Sequence, residues 1–272
     1  MSPASEPALT VEDLRVMKQR GEKIAVLTAY DASMTSQCEQ AGVDVLLVGD
    51  SLGMVVQGHD STRAVNMADM IYHTSHVARA RQRALLIADM PYQSYAHDAG
   101  ALENGRALLG AGADMVKLEG GGPLLSRIRH LVDNGVPVCG HLGLLPQSVV
   151  GPEGYRVQGR EAEAARQMIE DALALEQAGA ALLVLECIPR QLAIQITESV
   201  SIPTIGIGAG AGCDGQVLVI YDLLGITPGK RPRFVRDFLR EAGPGKGIQE
   251  AIAEYVRQVK SGEFPQPSQS YQ

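Results

Sequence analysis

Asp31, Asp50, Asp89, Lys117, Glu119, His141, Glu186 and Asp222 share one kind of place in the sequence: each closes or directly follows a short apolar run. If the runs are buried strands, their ends bring several carboxylates together. Two carboxylates about 4 Å apart repel by roughly 4 kcal/mol at an effective dielectric of about 20. Lys117 offsets only part of a cluster of Asp50, Asp89, Glu119 and Glu186, so either some of these are protonated or a cation sits among them. Oxygen ligands without paired histidines select a hard ion. Mg²⁺ is its usual identity, held by one or two carboxylates with substrate and water completing the shell. His141 alone does not make a zinc site, which wants three or four nitrogen or sulfur ligands.

The elements that must carry these residues are legible from the rhythm of the chain. Eight runs of strand length appear: 24–30, 43–49, 84–88, 114–118, 136–140, 181–185, 203–208 and 216–221. Most are rich in β-branched residues. Amphipathic stretches of helical length, such as 66–83, 99–111 and 160–178, lie between most of them. Four of these stretches close on Ala41-Gly42, Ala111-Gly112, Asn134-Gly135 and Ala178-Gly179, where glycine suits a left-handed C-cap. Repeated helix–glycine–strand units predict a single (β/α)8 TIM barrel over residues 10–260, with an open doubly wound sheet as the alternative. Thr10, with Asp13 three residues on, caps an N-terminal helix that can plug the barrel's bottom. Residues 1–9 are expected to be flexible, and the Pro/Gln/Ser-rich end, 261–272, disordered. In such a barrel, chemistry sits at the C-terminal ends of the strands. Asp and Ser there also cap the following helices, and Asp31 and Asp222 read as caps of this kind.

Composition narrows the functional classes. The formal charge of −7 argues against nucleic acid and against an anionic membrane surface. No apolar run approaches the roughly 18 residues of a membrane span, and the first ten residues lack the features of a secretory signal. A cytoplasmic protein is expected. Cys38, Cys139, Cys187 and Cys213 form no CxxC pair and read as buried reduced thiols. The segment Gly210–Gly215 matches G-x-G-x-x-G, but it lies late in the chain with a strand rather than a helix after it, which argues against a dinucleotide site. Lys230, Arg231 and Arg233 form a basic cluster that is either a solvated face or a contact for an anionic ligand tail.

Several segments together resemble the 3-methyl-2-oxobutanoate (ketopantoate) hydroxymethyltransferase family. They are GDSLGM at 49–54, VVQGHDST at 55–62, MIYHT at 70–74, ADMPYQSY at 88–95 and VKLEGG at 116–121. The likeness continues through GHLGLLPQ at 140–147, LLVLECIP at 182–189, GIGAG at 206–210 and CDGQVLVIYDLLG at 213–225. The resemblance implies a barrel of the phosphoenolpyruvate/pyruvate type assembled as a homo-oligomer, often a decamer. It also implies Mg²⁺ as cofactor, 5,10-methylenetetrahydrofolate as one-carbon donor and a 2-oxo acid as acceptor. Carried onto matching residues, Asp50 and Asp89 hold the ion, Glu119 belongs to its coordination sphere, and Asp50, Ser51, Asp89, Lys117 and His141 bind substrate. Glu186 accepts the proton. Donor-binding residues are expected from loops such as 147–158 or from a neighbouring subunit. The rival reading is a Mg²⁺-dependent C–C lyase or mutase using similar enolate chemistry, which tends to carry a reactive cysteine on a loop; no KKCG-like stretch appears here.

Overall fold

A computed structural model of the chain describes residues 7–149, 156–229 and 231–272. Eight parallel strands close into a barrel in sequence order: β1 (Ile24–Thr28), β2 (Val45–Val48), β3 (Leu85–Asp89), β4 (Met115–Glu119), β5 (Val138–Gly143), β6 (Leu182–Glu186), β7 (Thr204–Ile207) and β8 (Gly215–Leu218). The ring is sealed by pairing β1 with β8, from Ile24 opposite Gly215 to Leu27 opposite Leu218. The helices are α1 (Val11–Arg20), α2 (Ala32–Gln40), α3 (Leu52–Val55), α4 (Met67–Ala80), α5 (Asp98–Gly110), α6 (Leu125–Asp133), α7 (Ala162–Gln177), α8 (Arg190–Ser199), α9 (Ile220–Leu223), α10 (Phe238–Ala242) and α11 (Ile248–Ser261).

Side chains alternate across each strand, so the sheet buries two different faces. The inner face packs Ile24, Val26, Val45, Leu47, Leu85, Ile87, Met115, Cys139, Leu182, Val184, Ile205 and Val217 into one cluster, and Leu14 and Met17 of α1 join it. That helix therefore floors the barrel. Its capping box is complete, with Thr10 and Asp13 bonding each other's backbone N–H groups. Lys18 ties it to Asp214 at 2.9 Å and to the carbonyls of Thr197 and Ile202. The outer face packs Ala25, Leu27, Leu46, Leu86, Val116 and Leu183 with the helices. Gly42, Gly112, Gly135 and Gly179 all take positive φ, between 77° and 107°, as their C-cap positions require.

The structure departs from the sequence expectations at three places. The apolar run 216–221 is not one strand: β8 stops at Leu218, and Asp222 lies inside α9. Asp222 is thus neither a strand end nor a cap, whereas Asp31 does cap α2 by accepting from Met34 N–H at 2.9 Å. Residues 261–272 are packed. Phe264 is buried in an edge-on cluster with Phe238 and Tyr255, and Tyr271 pairs with Pro189. Composition misleads there because one aromatic anchor and a few backbone bonds suffice to hold a polar segment. At the other end, residues 1–6 lie outside the described residues, but Leu9 is not loose: its N–H bonds the Arg83 carbonyl and its side chain packs on the inner cluster.

Candidate active site

The period-two alternation that fills the barrel also delivers its chemistry. On β3, Leu85 and Ile87 point inward, and the next inward position is Asp89. Beyond Met115 on β4 come Lys117 and Glu119; beyond Cys139 on β5 comes His141; beyond Leu182 and Val184 on β6 comes Glu186. Asp50 arrives differently, from the turn between β2 and α3. Its backbone N–H donates to Asp89 Oδ2 at 3.0 Å, so the second carboxylate fixes the turn that presents the first. Asp50, Asp89, Lys117, Glu119 and His141 are all buried, while the Glu186 side chain keeps 15% of its surface open. Gly143, at the end of β5, has φ 97°, and a Cβ there would stand 2.1 Å from the Glu186 carbonyl oxygen. Only glycine lets β5 approach the Glu186 backbone so closely.

The contacts run around the rim. Lys117 Nζ lies 3.0 Å from Asp89 Oδ1 and 3.3 Å from His141 Nδ1. His141 Nδ1 is 3.5 Å from Glu119 Oε1, and its Nε2 is 3.2 Å from Glu186 Oε2. The latter approach is off the line of a hydrogen bond, so it is an ion-pair contact in which Nε2 has no hydrogen-bonded partner. Asp89 Oδ1 is likewise buried beside the ammonium yet has no hydrogen bond of its own. The Ser51 hydroxyl turns away from the end of α3 and meets Tyr30 Oη at 2.8 Å.

The charges are unevenly met. Burial pushes the Asp50 carboxyl well above the usual carboxylate range, and nearby Asp89 and Glu119 push it further. Burial also works against the Lys117 ammonium, but Asp89, Glu119 and Asp50 outweigh it and hold the pKa above ordinary lysine's. Burial would raise Glu119, yet its contacts with His141, Lys117 and the Gln147 N–H bring it below the ordinary value. For His141, burial and Lys117 disfavour the charged ring, and Glu119 and Glu186 more than compensate, raising its pKa.

Sequence reasoning missed the residues behind this rim. Gln147 is buried and makes bonds in four directions. Its N–H donates to Glu119 Oε2 at 2.9 Å, and its Nε2 donates to Asp50 Oδ2 at 2.8 Å and to the Met90 carbonyl at 2.9 Å. Its Oε1 accepts from Tyr95 Oη at 2.6 Å, which sets the orientation of the amide. A glutamine ending GHLGLLPQ just beyond β5 was the available signal. Of the 147–158 loop, residues 150–155 lie outside the described residues, as does Lys230 of the basic cluster. Arg231 pairs with Asp237 at 2.9 Å, and Arg233 donates to the Ser268 carbonyl, so both hold structure together.

Oxygen-donor chemistry fits a hard divalent ion. Asp50 is strained toward protonation without one, and Asp89 Oδ1 has a lone pair with no hydrogen-bonded partner. Among the described residues, however, no group of three or more His, Cys, Asp or Glu is arranged to hold a metal by itself. Both Glu119 oxygens are engaged, by His141 and by Gln147. The chain therefore offers two carboxylates, which is the share Mg²⁺ takes from a protein when substrate and water supply the rest. All four cysteines are buried, and burial pushes the thiols of Cys38, Cys139 and Cys213 up to about 12, so none is a ready nucleophile.

A closed parallel barrel with acids, a lysine and a histidine converging at the strand ends defines a TIM-barrel enzyme. The fold is shared with phosphonopyruvate hydrolase, at TM-score 0.63 and 14% identity, covering 94% of this chain and 98% of that one. It is shared also with 2,3-dimethylmalate lyase, a PEP mutase/isocitrate lyase superfamily member, at TM-score 0.57, 15% identity, and 93% and 98% coverage. The ketopantoate hydroxymethyltransferase family model matches residues 8–267, and the chain belongs to that family. The 3-methyl-2-oxobutanoate hydroxymethyltransferase of Burkholderia multivorans is 52% identical over 271 residues, covering 100% of this chain and 99% of the relative. Its namesake in Methylobacillus flagellatus is 56% identical over 253 residues, with 93% and 95% covered. Among the described residues, no helix is long and apolar enough to cross a membrane.

Proposed function

We propose that this chain transfers a hydroxymethyl group from 5,10-methylenetetrahydrofolate to 3-methyl-2-oxobutanoate, giving 2-dehydropantoate, with Mg²⁺ held by Asp50 and Asp89. The names of its relatives supply the acceptor. The observation that carries the ion is the buried trio of Asp50, Asp89 and Glu119 facing the Lys117 ammonium. When bound, a divalent ion supplies several kcal/mol of stabilisation to negative charge growing on the keto oxygen.

The remaining work falls to the chain. Glu186, the most open of the acids, takes the proton from C3 of the acceptor. His141, 3.2 Å away, holds the carboxylate in place, and Glu119 behind it favours a ring that can donate toward Glu186. Lys117 pairs with Asp89 at 3.0 Å and is placed to meet the acceptor's carboxylate. Ser51, fixed by Tyr30, offers a hydroxyl to the same ligand. Water cleaves the methylene from the donor's two nitrogens, releasing tetrahydrofolate and a one-carbon unit at the formaldehyde level. The carbanion at C3 attacks that carbon, and its oxygen takes the proton held by Glu186 to become the hydroxyl. Glu119 and Gln147 act from behind, setting His141 and Asp50. Assembly as a homo-oligomer belongs to the same proposal, and light scattering of the purified chain reads it. No observation in the structure favours the lyase or mutase reading.

Proton NMR in D₂O tests the core of this. With 3-methyl-2-oxobutanoate and Mg²⁺ but no folate, the C3 proton should exchange, and chelation should reduce the rate by at least roughly 10²-fold, the kinetic equivalent of a few kcal/mol. Exchange undiminished by chelation removes the ion from the proposal. A second expectation concerns Gln147. Gln147→Leu leaves the Asp50 and Tyr95 partners unmet and should weaken Mg²⁺ binding roughly 10–100-fold, as loss of an outer-shell partner does. Thermal shift titrated with Mg²⁺ reads this directly, and an unchanged midpoint rejects the role.

A further inference from the structure

From the packing of the chain's last residues we infer that they hold the proton-accepting turn in shape, with Tyr271 as a positioning residue for Glu186. The inference rests on the reading of Glu186 as the base.

Directly after Glu186, Cys187 takes φ 49°, a left-handed conformation on a residue that is not glycine. Such a conformation costs free energy and persists only where its surroundings over-determine it. Here the surroundings come from three separate stretches of chain. The Cys187 N–H donates to the Ile207 carbonyl at 2.8 Å, at the end of β7. The Cys187 carbonyl accepts from Gln158 N–H at 2.9 Å, on the loop after β5. The third stretch is the terminal segment. Pro189 pairs with Tyr271 in a parallel bridge, and Arg190 N–H donates to the Tyr271 carbonyl at 2.9 Å.

The Tyr271 side chain completes the hold. Its ring and the buried Cys187 thiol both lie against Gly208, so the ring packs on the turn that follows Glu186. At Gly208, just past β7, an added Cβ would stand 3.2 Å from the Tyr271 ring, 3.3 Å from Cys187 Sγ and 2.7 Å from the Phe234 ring. Ring, thiol and glycine therefore pack as one layer at the end of β6 and β7. The segment reaching there is itself tethered. Phe264 is buried against Phe238 and Tyr255, the Ser268 carbonyl accepts from Arg233 Nε at 3.0 Å, and the Ser270 hydroxyl donates to the Gln266 carbonyl at 3.1 Å. One end of the strap is fixed in the hydrophobic core and the other lies on the turn beside the base. The family model ends at residue 267, so the contacts at Tyr271 lie beyond the residues it matches.

A strap that only added stability would change the melting temperature and leave turnover per folded molecule intact. A strap that positions the base changes the proton-transfer step. The test compares the full chain with a truncation after Gln269, Tyr271→Ala, Tyr271→Phe and Glu186→Gln, each checked for folding by circular dichroism. Truncation and Tyr271→Ala should lower kcat and the rate of C3 deuterium exchange together, on the order of 10²-fold, as expected for about 1 Å of misplacement. KM and the Mg²⁺-induced thermal shift should hold, because Asp50 and Asp89 lie on other elements, the turn after β2 and the end of β3. Tyr271→Phe keeps the ring and the backbone bonds and should recover most of the rate. Wild-type exchange in both folded variants overturns the inference, and so does loss of folding in both, which makes the strap a staple. If Glu186→Gln itself exchanges normally, the base assignment and the inference fall together. If Glu186→Gln is silent while the truncation is normal, the strap alone is wrong.

Discussion

Glu186→Gln should fold, bind Mg²⁺ and bind the 2-oxo acid as the wild type does, while losing roughly 10²–10⁴-fold in hydroxymethyl transfer, the range ascribed to a positioned general base. The substitution is isosteric and retains a polar group within reach of His141, 3.2 Å away. It removes one negative charge from an acid-rich rim and so leaves no buried anion without a partner. What it removes is a group able to take a proton. The loss should therefore appear in kcat with little change in KM, the pattern of an interaction made only in the transition state. Glu186→Asp withdraws the carboxylate by one methylene, about 1 Å, and can itself cost about 10²-fold. Steady-state rates with both substrates decide the matter. A Gln variant that kept more than about a tenth of wild-type turnover would sink the assignment, given the magnitude expected of such a base.

Lys117→Met carries the largest expected effect on stability. The ammonium is 3.0 Å from Asp89, and both side chains are about 95% enclosed, with 5% and 4% of their surfaces exposed. Removing one partner of a buried pair leaves the other charge unmet, at a cost of roughly 3–5 kcal/mol. Asp50 and Glu119 share the same cation, so their repulsion rises as well. The penalty should depend on pH in a definite direction. Asp50 already has a folded-state pKa above its ordinary 3.8, so the folded chain holds that proton more tightly than the unfolded one. Stability from this group is present at low pH and falls as pH rises from 3.8 through the raised value. Without Lys117 the window extends upward, and the variant should lose stability most steeply on the neutral side. Added Mg²⁺ should restore part of it by mass action, about 2.7 kcal/mol at a hundred times its dissociation constant. Urea denaturation at two pH values, with and without the ion, measures both. Unchanged midpoints would mean that the cluster is neutralised by something other than Lys117.

Much of this architecture could be read in advance because a parallel barrel is regular. Apolar runs of strand length and glycines at helix ends located all eight strands. Period-two counting from Met115 or Val184 leads straight to Lys117, Glu119 and Glu186. The count fails at Asp50, which sits on a turn; there the residue was reached because it directly follows the apolar run 43–49, and the GDSLGM segment pointed to it again. It fails again at Asp222, because a short apolar run such as 216–221 does not reveal where strand gives way to helix. Gln147 and Tyr95 were invisible for a deeper reason. Their partners lie 97 and 52 positions apart in the chain, and neither amide nor phenol announces a role until the fold brings them together. The terminal segment was misjudged on composition, which weighs polar residues but not the single Phe264 that pins them.

The seam of the ring has a consequence for how the chain comes to be folded. The strands that meet there are the first and the last, Ile24 opposite Gly215, and Tyr255 of α11 rivets them by donating to the carbonyls of Val26 and Gln216. During synthesis from the N-terminus, β1 waits unpaired on one edge until the codons for β8 and α11 have been read. Its exposed edge, IAVLT, is apolar up to Thr28, the kind of strand that pairs with neighbours when left open. Contacts this distant in sequence slow folding, since the loop they close must be ordered before they form. The barrel's weakest moment is therefore the interval on the ribosome before its last helix emerges.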